Sequence, residues 1–296
     1  MKRFFSLIFL LFILIFFHKE TISGTENGLL LWYQILIPAL LPFILLTNAL
    51  SETNAYQVIE ESGSKYFSGR LYEILAILLG NLCGYPIGGK IINDFVSNHY
   101  MTEDRSIRIL ALASQASPMF IIGFIHLHIL RDTLPLSIFL LSIYVPVFLK
   151  YCLLSAPKER QSTVITQKSK EPILIRDTFL HSVEIMVLIG IYVIIFSILL
   201  QILLPYCKYD FQKIIFSFLE ITTGLNLLDR MQLSEIMKTP LVCALTSFGG
   251  LCNAFQVKGI IKFTNVHIKK YLIDKFILSA GTFVIVWCYL KWMKGL

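Results

Sequence analysis

Charge is what this chain has least of. Charged residues make up 15% of it against 56% hydrophobic ones, and the mean hydropathy is +0.71. A soluble protein carries about 25% charged residues, so water is not the chain's main solvent. There is also no long polar block, which excludes a separate soluble domain. The six cysteines form no C-x-x-C pair and nearly all lie in apolar stretches. They read as small apolar residues of packed helices, not as a disulfide or metal framework. His126 and His128 lack the further ligands a metal needs. No G-x-S-x-G, H-E-x-x-H or Walker lysine motif is present. The expectation is therefore a protein that is not an enzyme and has no cofactor, with polar positions suited to binding and gating.

What is present is a series of apolar runs: 4–17, 28–50, 71–96, 107–130, 134–154, 179–204, 211–228, 240–263 and 271–290. A membrane-spanning helix needs about 20 apolar residues, and several runs qualify. Residues 2–17 have the form of a signal peptide without an A-x-A-like cleavage site, so a retained short first helix is expected. The formal net charge is +7, with Lys and Arg placed between runs and at the termini. That pattern fits loops facing anionic lipid, not a nucleic-acid groove. The linker 155–177 carries Lys158, Arg160, Lys168, Lys170 and Arg176, and the positive-inside rule puts it in the cytoplasm with Lys2 and Arg3. That count works if the run 71–96 enters the membrane and returns to the same side. Run 211–228 either spans or lies at the interface; charge leaves both open.

Two of the runs are broken by a repeated string. Residues 80–92 read G-N-L-C-G-Y-P-I-G-G-K-I-I and residues 249–261 read G-G-L-C-N-A-F-Q-V-K-G-I-I. A membrane chain opens its backbone only where protein or a water-filled cavity satisfies the freed groups. Paired breaks in the two halves point to a transporter-like site near mid-membrane. The expected architecture is thus an all-α polytopic membrane protein with two inverted repeats, each carrying a re-entrant, glycine-broken hairpin. The repeats cover 28–154 and 178–296, after an N-terminal helix and external loop at 1–27. Matching places ahead of the breaks make 211–228 the counterpart of the polar stretch 53–67, which favours the interface.

The candidate solute contacts follow from the breaks. In the first they are Asn81, Cys83, Gly84, Tyr85, Pro86, Gly88 and Lys90, where glycine and proline shape an exposed backbone and a half-helix aims its positive end at an anion. A kinked packing helix with a snorkelling lysine is the alternative. Ser114, Gln115 and Ser117 are expected along a helix ahead of Pro118, either lining the cavity or packing at a kink. Ser247, Gly249, Gly250, Asn253 and Gln256 form the second break, as solute ligands or as interhelical hydrogen bonds. Glu73, Glu184 and Glu220 are either coupling-proton sites or, the reading favoured here, solvated helix ends.

Several strings carry a resemblance: L-W-Y-Q-I-L-I-P-A-L-L-P-F at 31–43, G-N-L-C-G-Y-P-I-G-G-K at 80–90, A-S-Q-A-S-P-M-F-I-I-G at 113–123, L-E-I-T-T-G-L at 219–225 and S-F-G-G-L-C-N-A-F-Q-V at 247–257. They resemble sporulation integral membrane proteins of the YlbJ type, in the nucleoside-recognition or Gate family. The chain departs from that pattern at Ala254, where histidine is common, and at Gln115, where asparagine is. The resemblance implies an architecture like concentrative nucleoside transporters and a place in the outer forespore membrane of an endospore former. It implies transport of a small anionic solute, dipicolinate, with membrane lipid and other sporulation membrane proteins as partners and no nucleic acid. The coupling ion does not follow. A structural membrane factor and a nucleoside or nucleobase carrier are the rival readings.

Overall fold

The computed structural model describes residues 2–52, 70–154, 175–263 and 268–295; the regular structure in them is entirely helical. In lipid no water is available to the backbone, so a span must satisfy its own amides, which a helix does. Among the described residues, five helices are long and apolar enough to cross a membrane: His18–Leu50, Leu136–Leu153, Thr178–Tyr206, Glu235–Ile260 and Ile268–Met293. Large apolar side chains such as Leu149, Ile191, Ile195, Phe276 and Val284 point outward, and Ser142, Ser197, Ser279 and Thr282 point in. That distribution suits a lipid surround.

The first helix, α1 (Lys2–Phe16), has 15 residues with its large side chains exposed, about 22 Å long and so short for a bilayer, as expected. Next comes a long element made of α2 (His18–Leu31), a π-helical turn (Trp32–Leu36) and α3 (Ile37–Glu52). It packs against α9 (Ile175–Leu203) through small residues. The Cα positions of Gly24 and Gly28 lie against the backbone of Ile198 and Ile194, and Trp32 donates from Nε1 to Met186 O (2.9 Å) across Gly190. This is the small-x-x-x-small logic of membrane helix pairs, where close backbone approach replaces the hydrophobic effect.

The first broken run becomes α4 (Leu71–Cys83) and α5 (Ile87–Ser97), 13 and 11 residues long. Neither half reaches the ~20 residues of a span, and they pack against each other as the re-entrant reading requires. The break is narrower than the expected 80–89: only Gly84 to Pro86 leave the helix, with Gly84 at φ 85°.

The run 107–130 is not one helix. α6 (Glu103–Ile109) ends early, residues 114–117 carry no helix, and α7 (Pro118–Leu130) follows. Ser114, Gln115 and Ser117 therefore stand in an unwound stretch, not on the helix face expected of them. Pro118 disfavours helical dihedrals at Ser117, which is extended (φ −68°, ψ 149°) and caps α7 by accepting from Phe120 N (3.2 Å). α8 (Leu136–Leu153) closes this half. The basic linker expected at 155–177 and the polar stretch 53–67 lie almost wholly outside the described residues.

The second half differs from expectation. Run 211–228 is not one spanning helix. It forms α10 (Asp210–Ser217) and α11 (Ile221–Arg230), packed against each other, with Ser217, Ile221, Leu225 and Leu228 buried. The glycine break at 249 does not fold a hairpin. α12 (Glu235–Phe248) and α13 (Gly250–Ile260) continue as one kinked crossing. The reason is local: Gly249 (φ 83°) and Gly250 (φ 81°) take left-handed backbone, but only Gly249 leaves the helix, too little chain to reverse direction. α14 (Ile268–Met293) packs on α12 and α8, with Ser279 donating to Ala244 O (2.8 Å) and Thr282 to Ser142 O (2.9 Å).

Gly80 and Gly88 both press on the Ala113 carbonyl, so a methyl at Gly88 collides with backbone. Gly88→Ala is expected to cost about 1–3 kcal/mol and to lower the melting temperature in detergent by roughly 3–10 °C. Gly123→Ala, in open space, leaves it unchanged in the same thermal unfolding assay.

Candidate functional site at the crossing of the helix breaks

Helix breaks free amides and carbonyls that must find partners when buried. Here the breaks satisfy each other. At the first, Tyr85 N donates to Gln115 O (3.0 Å) and Gln115 N donates to Asn81 Oδ1 (3.3 Å), which sews the tip of α4–α5 to the unwound 114–117 stretch. In the second half, the opening amides of α13 do the same: Leu251 N donates to Phe218 O (2.9 Å) and Cys252 N to Leu219 O (2.8 Å), the tip of α10–α11. Glu220 completes that tip. Its carboxylate accepts from Thr222 N (3.0 Å), Thr222 Oγ1 (2.7 Å) and Thr223 N (2.7 Å), capping α11.

The two crossings meet. The Tyr85 ring lies against Gly249, where a Cβ would sit 3.2 Å from Tyr85 Cε1. Ser247 donates to Gln115 Oε1 (3.4 Å). Lys275 of α14 reaches in from the side: its ammonium donates to Ser114 O (2.6 Å) and Gln115 Oε1 (3.3 Å) and lies 5.7 Å from the centre of the Tyr85 ring. Lys275 is 0% exposed and makes no ion pair among the described residues. Asn253 donates to the Tyr271 hydroxyl (3.2 Å). Beside Tyr85 lies a cavity of about 20 Å³, lined by Glu220, Gly249, Cys252, Asn253 and Gln256 among others.

Tyr85, Ser114, Gln115, Ser247, Gly249, Asn253 and Gln256 are thus gathered around one buried polar centre, with Asn81 one hydrogen bond away. The remaining positions shape it. Gly84 supplies a left-handed turn against Ser117, Pro86 precedes α5, Gly88 allows the approach to Ala113, and Gly250 lies against the second tip. Cys83 is buried. Lys90, expected as the solute's charge partner, holds Asp94 Oδ2 at 2.6 Å, one turn along its own helix. Glu73 pairs with Arg105 (2.7 Å) and accepts from the Tyr151 hydroxyl (3.2 Å), tying α4 to α6 and α8. Glu184 is exposed and does sit outside the centre.

Glu220 overturns its expected reading as a solvated helix end, being 1% exposed at the heart of the site. Lys275 and Tyr271 were missed altogether. The cue was there: Tyr271, Lys275, Ser279 and Thr282 recur at helical spacing along an otherwise apolar run, and an ionisable side chain in such a run marks a functional position by default.

Removing the Glu220 carboxylate strands two amides and a hydroxyl in the interior. Glu220→Ala is expected to cost about 2–4 kcal/mol, and Glu220→Gln, which keeps one acceptor, clearly less. Thermal unfolding of the two purified variants side by side checks the order.

No family model matches the chain, and no solved structure matches it. Among curated proteins it is similar to the "Sporulation integral membrane protein YlbJ" of Bacillus subtilis (strain 168), with 20% identity across 93% of this chain and 78% of that protein. The helical membrane architecture agrees with that likeness. The chain is thus similar, at a distance, to a sporulation integral membrane protein of the YlbJ type.

Proposed function

We propose that this chain is a sporulation membrane transporter that carries a small anionic solute, with dipicolinate as the candidate, across the outer forespore membrane. The observation that carries the anion is Lys275, an ammonium buried between the two crossings with only neutral acceptors around it. A cation at such depth is costly unless an anion or cavity meets it. The relative, a sporulation integral membrane protein by name, supports sporulation and the membrane.

The order of elements supports two related halves in a register other than the one the glycine strings imply. α2–α3, the α4–α5 pair, the broken α6–α7 and α8 run parallel in order to α9, the α10–α11 pair, the broken α12–α13 and α14. On that reading the counterpart of the Gly84 break is the tip at Glu220, and the counterpart of the Gly249 break is the unwound 114–117 stretch. Pairs of discontinuous helices crossing at mid-membrane, with opposed halves, are the plan of many secondary transporters.

The cavity beside Tyr85, about 20 Å³, is far below the ~300 Å³ and more of ordinary ligand pockets. A ring dicarboxylate therefore requires the Tyr85 tip to part from Gly249, and this conformation is the occluded one. Parting frees the Lys275 ammonium from Ser114 and Gln115 to meet a carboxylate. The same movement, open to one side and then to the other, gives alternating access.

Binding to purified protein, with dipicolinate, nucleosides and simple dicarboxylates in parallel, tests this reading. Dipicolinate is expected to bind best. Lys275→Met weakens it by about tenfold or more, the scale of a lost charge-assisted hydrogen bond. Lys90→Met leaves it unchanged, because Asp94 already holds that charge. Equal binding by wild type and Lys275→Met contradicts the assignment, and preferential binding of nucleosides favours the rival carrier.

A further inference from the structure

Two polar atoms beside the Glu220 tip are buried without a hydrogen-bond partner: the Tyr85 hydroxyl and Asn253 Oδ1. Their residues are 9% and 2% exposed, and both line the cavity of about 20 Å³ together with Glu220. An unpaired buried polar atom costs on the order of 1–3 kcal/mol, so two at one cavity call for a ligand that both can meet. The cavity's chemistry decides its sign. Asn253 donates one amide hydrogen to the Tyr271 hydroxyl, and its oxygen is the atom left without a partner. Glu220 brings a carboxylate.

The helix ends that would draw an anion here are already occupied. α11 is capped by Glu220 itself, the Leu251 and Cys252 amides of α13 are taken by the Phe218 and Leu219 carbonyls, and at the start of α5 Ile87 N and Gly89 N donate to the Gly84 and Pro86 carbonyls. The end that remains at the cavity is the C-terminus of α12, where Gly249 follows Phe248, and a helix C-terminus carries partial negative charge. Lys275, the local cation, lies over the Tyr85 ring and donates to Ser114 and Gln115. The site therefore suits a small cation. One carboxylate matches one positive charge, whereas Ca²⁺ takes 6–8 oxygens and Mg²⁺ usually keeps several waters. The volume holds one water-sized particle, which favours Na⁺ over the larger K⁺.

The geometry points to a Na⁺ site formed by the Tyr85 hydroxyl, Asn253 Oδ1 and the Glu220 carboxylate, joining the tips of both halves. Because Tyr85 belongs to one crossing and Asn253 and Glu220 to the other, the ion ties the crossings together and favours the occluded conformation. Its binding does not depend on which solute is carried.

Thermal unfolding of the full-length purified protein in NaCl, KCl and choline chloride at equal ionic strength tests the site. Saturating NaCl is expected to raise the midpoint by about 5 °C over choline, with a smaller rise in KCl. Tyr85→Phe and Asn253→Ala abolish the difference. Asn48→Ala keeps it: Asn48 Oδ1 is also buried without a partner, but that residue does not line this cavity. Radiolabelled Na⁺ bound by the wild type, displaced by unlabelled Na⁺ and not by choline, is the second readout, independent of how the variants fold. Identical midpoints in Na⁺ and choline with no displaceable label, as a buried water alone would give, overturn the proposal. So does a Na⁺ response that survives both cavity substitutions.

Discussion

A backbone opened inside a membrane has nowhere to place its amides except against other protein, and this fold is organised around that constraint. Each helix break is closed by another. Tyr85 N rests on the carbonyl of Gln115, and Leu251 and Cys252 rest on the carbonyls of Phe218 and Leu219. Because each break needs an opened partner, the breaks gather in two pairs, and the polar side chains that flank them arrive together. The buried centre follows from backbone hydrogen-bond accounting before any solute is considered. The glycines that permit the approach, Gly80 and Gly88 on the Ala113 carbonyl, have no room for a side chain.

The centre holds one buried cation and one buried carboxylate, Lys275 and Glu220, on different helices. They are handled differently. Glu220 is held locally by two amides and a hydroxyl, with a single donor on Oε1, so it belongs to the tip's framework and keeps acceptor capacity towards the cavity. Lys275 has only neutral acceptors. The Tyr85 ring stands between the acceptor-lined cavity and the ammonium. A movement of one aromatic side chain therefore alters what both sides of the centre can bind, and it is the tip of the first hairpin that carries this ring.

Much of the architecture was legible in the sequence. The apolar runs mark the spans, the crossing count implies a returning first hairpin, and glycine with Cys, Tyr and Pro locates its tip. The second hairpin was misplaced for a physical reason. Two glycines at 249 and 250 look like a turn, yet only Gly249 leaves the helix and the crossing kinks without reversing. The true turn at Phe218 to Glu220 contains no glycine and depends on a carboxylate cap, which an apolar pattern does not reveal. Pro118 was visible, but its consequence, an unwound 114–117 stretch, depends on the Asn81 and Tyr85 contacts that stabilise it. Lys275 was hidden by its neighbours: Lys269 and Lys270 draw attention as loop charges, and only the recurrence of Ser279 and Thr282 on the same face sets it apart.

The two halves touch at their breaks, and under the proposed transport function they must separate there for solute to pass. A cysteine pair tests it most directly. A Cβ at Gly89 would lie 3.7 Å from Val257 Cβ, one residue in α5 and the other in α13, within the spacing a disulfide requires. In a background lacking the native cysteines, Gly89→Cys with Val257→Cys is expected to cross-link under mild oxidation and to stop solute flux in liposomes, with flux restored by reductant. Failure of the pair to cross-link, or full flux through the cross-linked protein, would contradict the account.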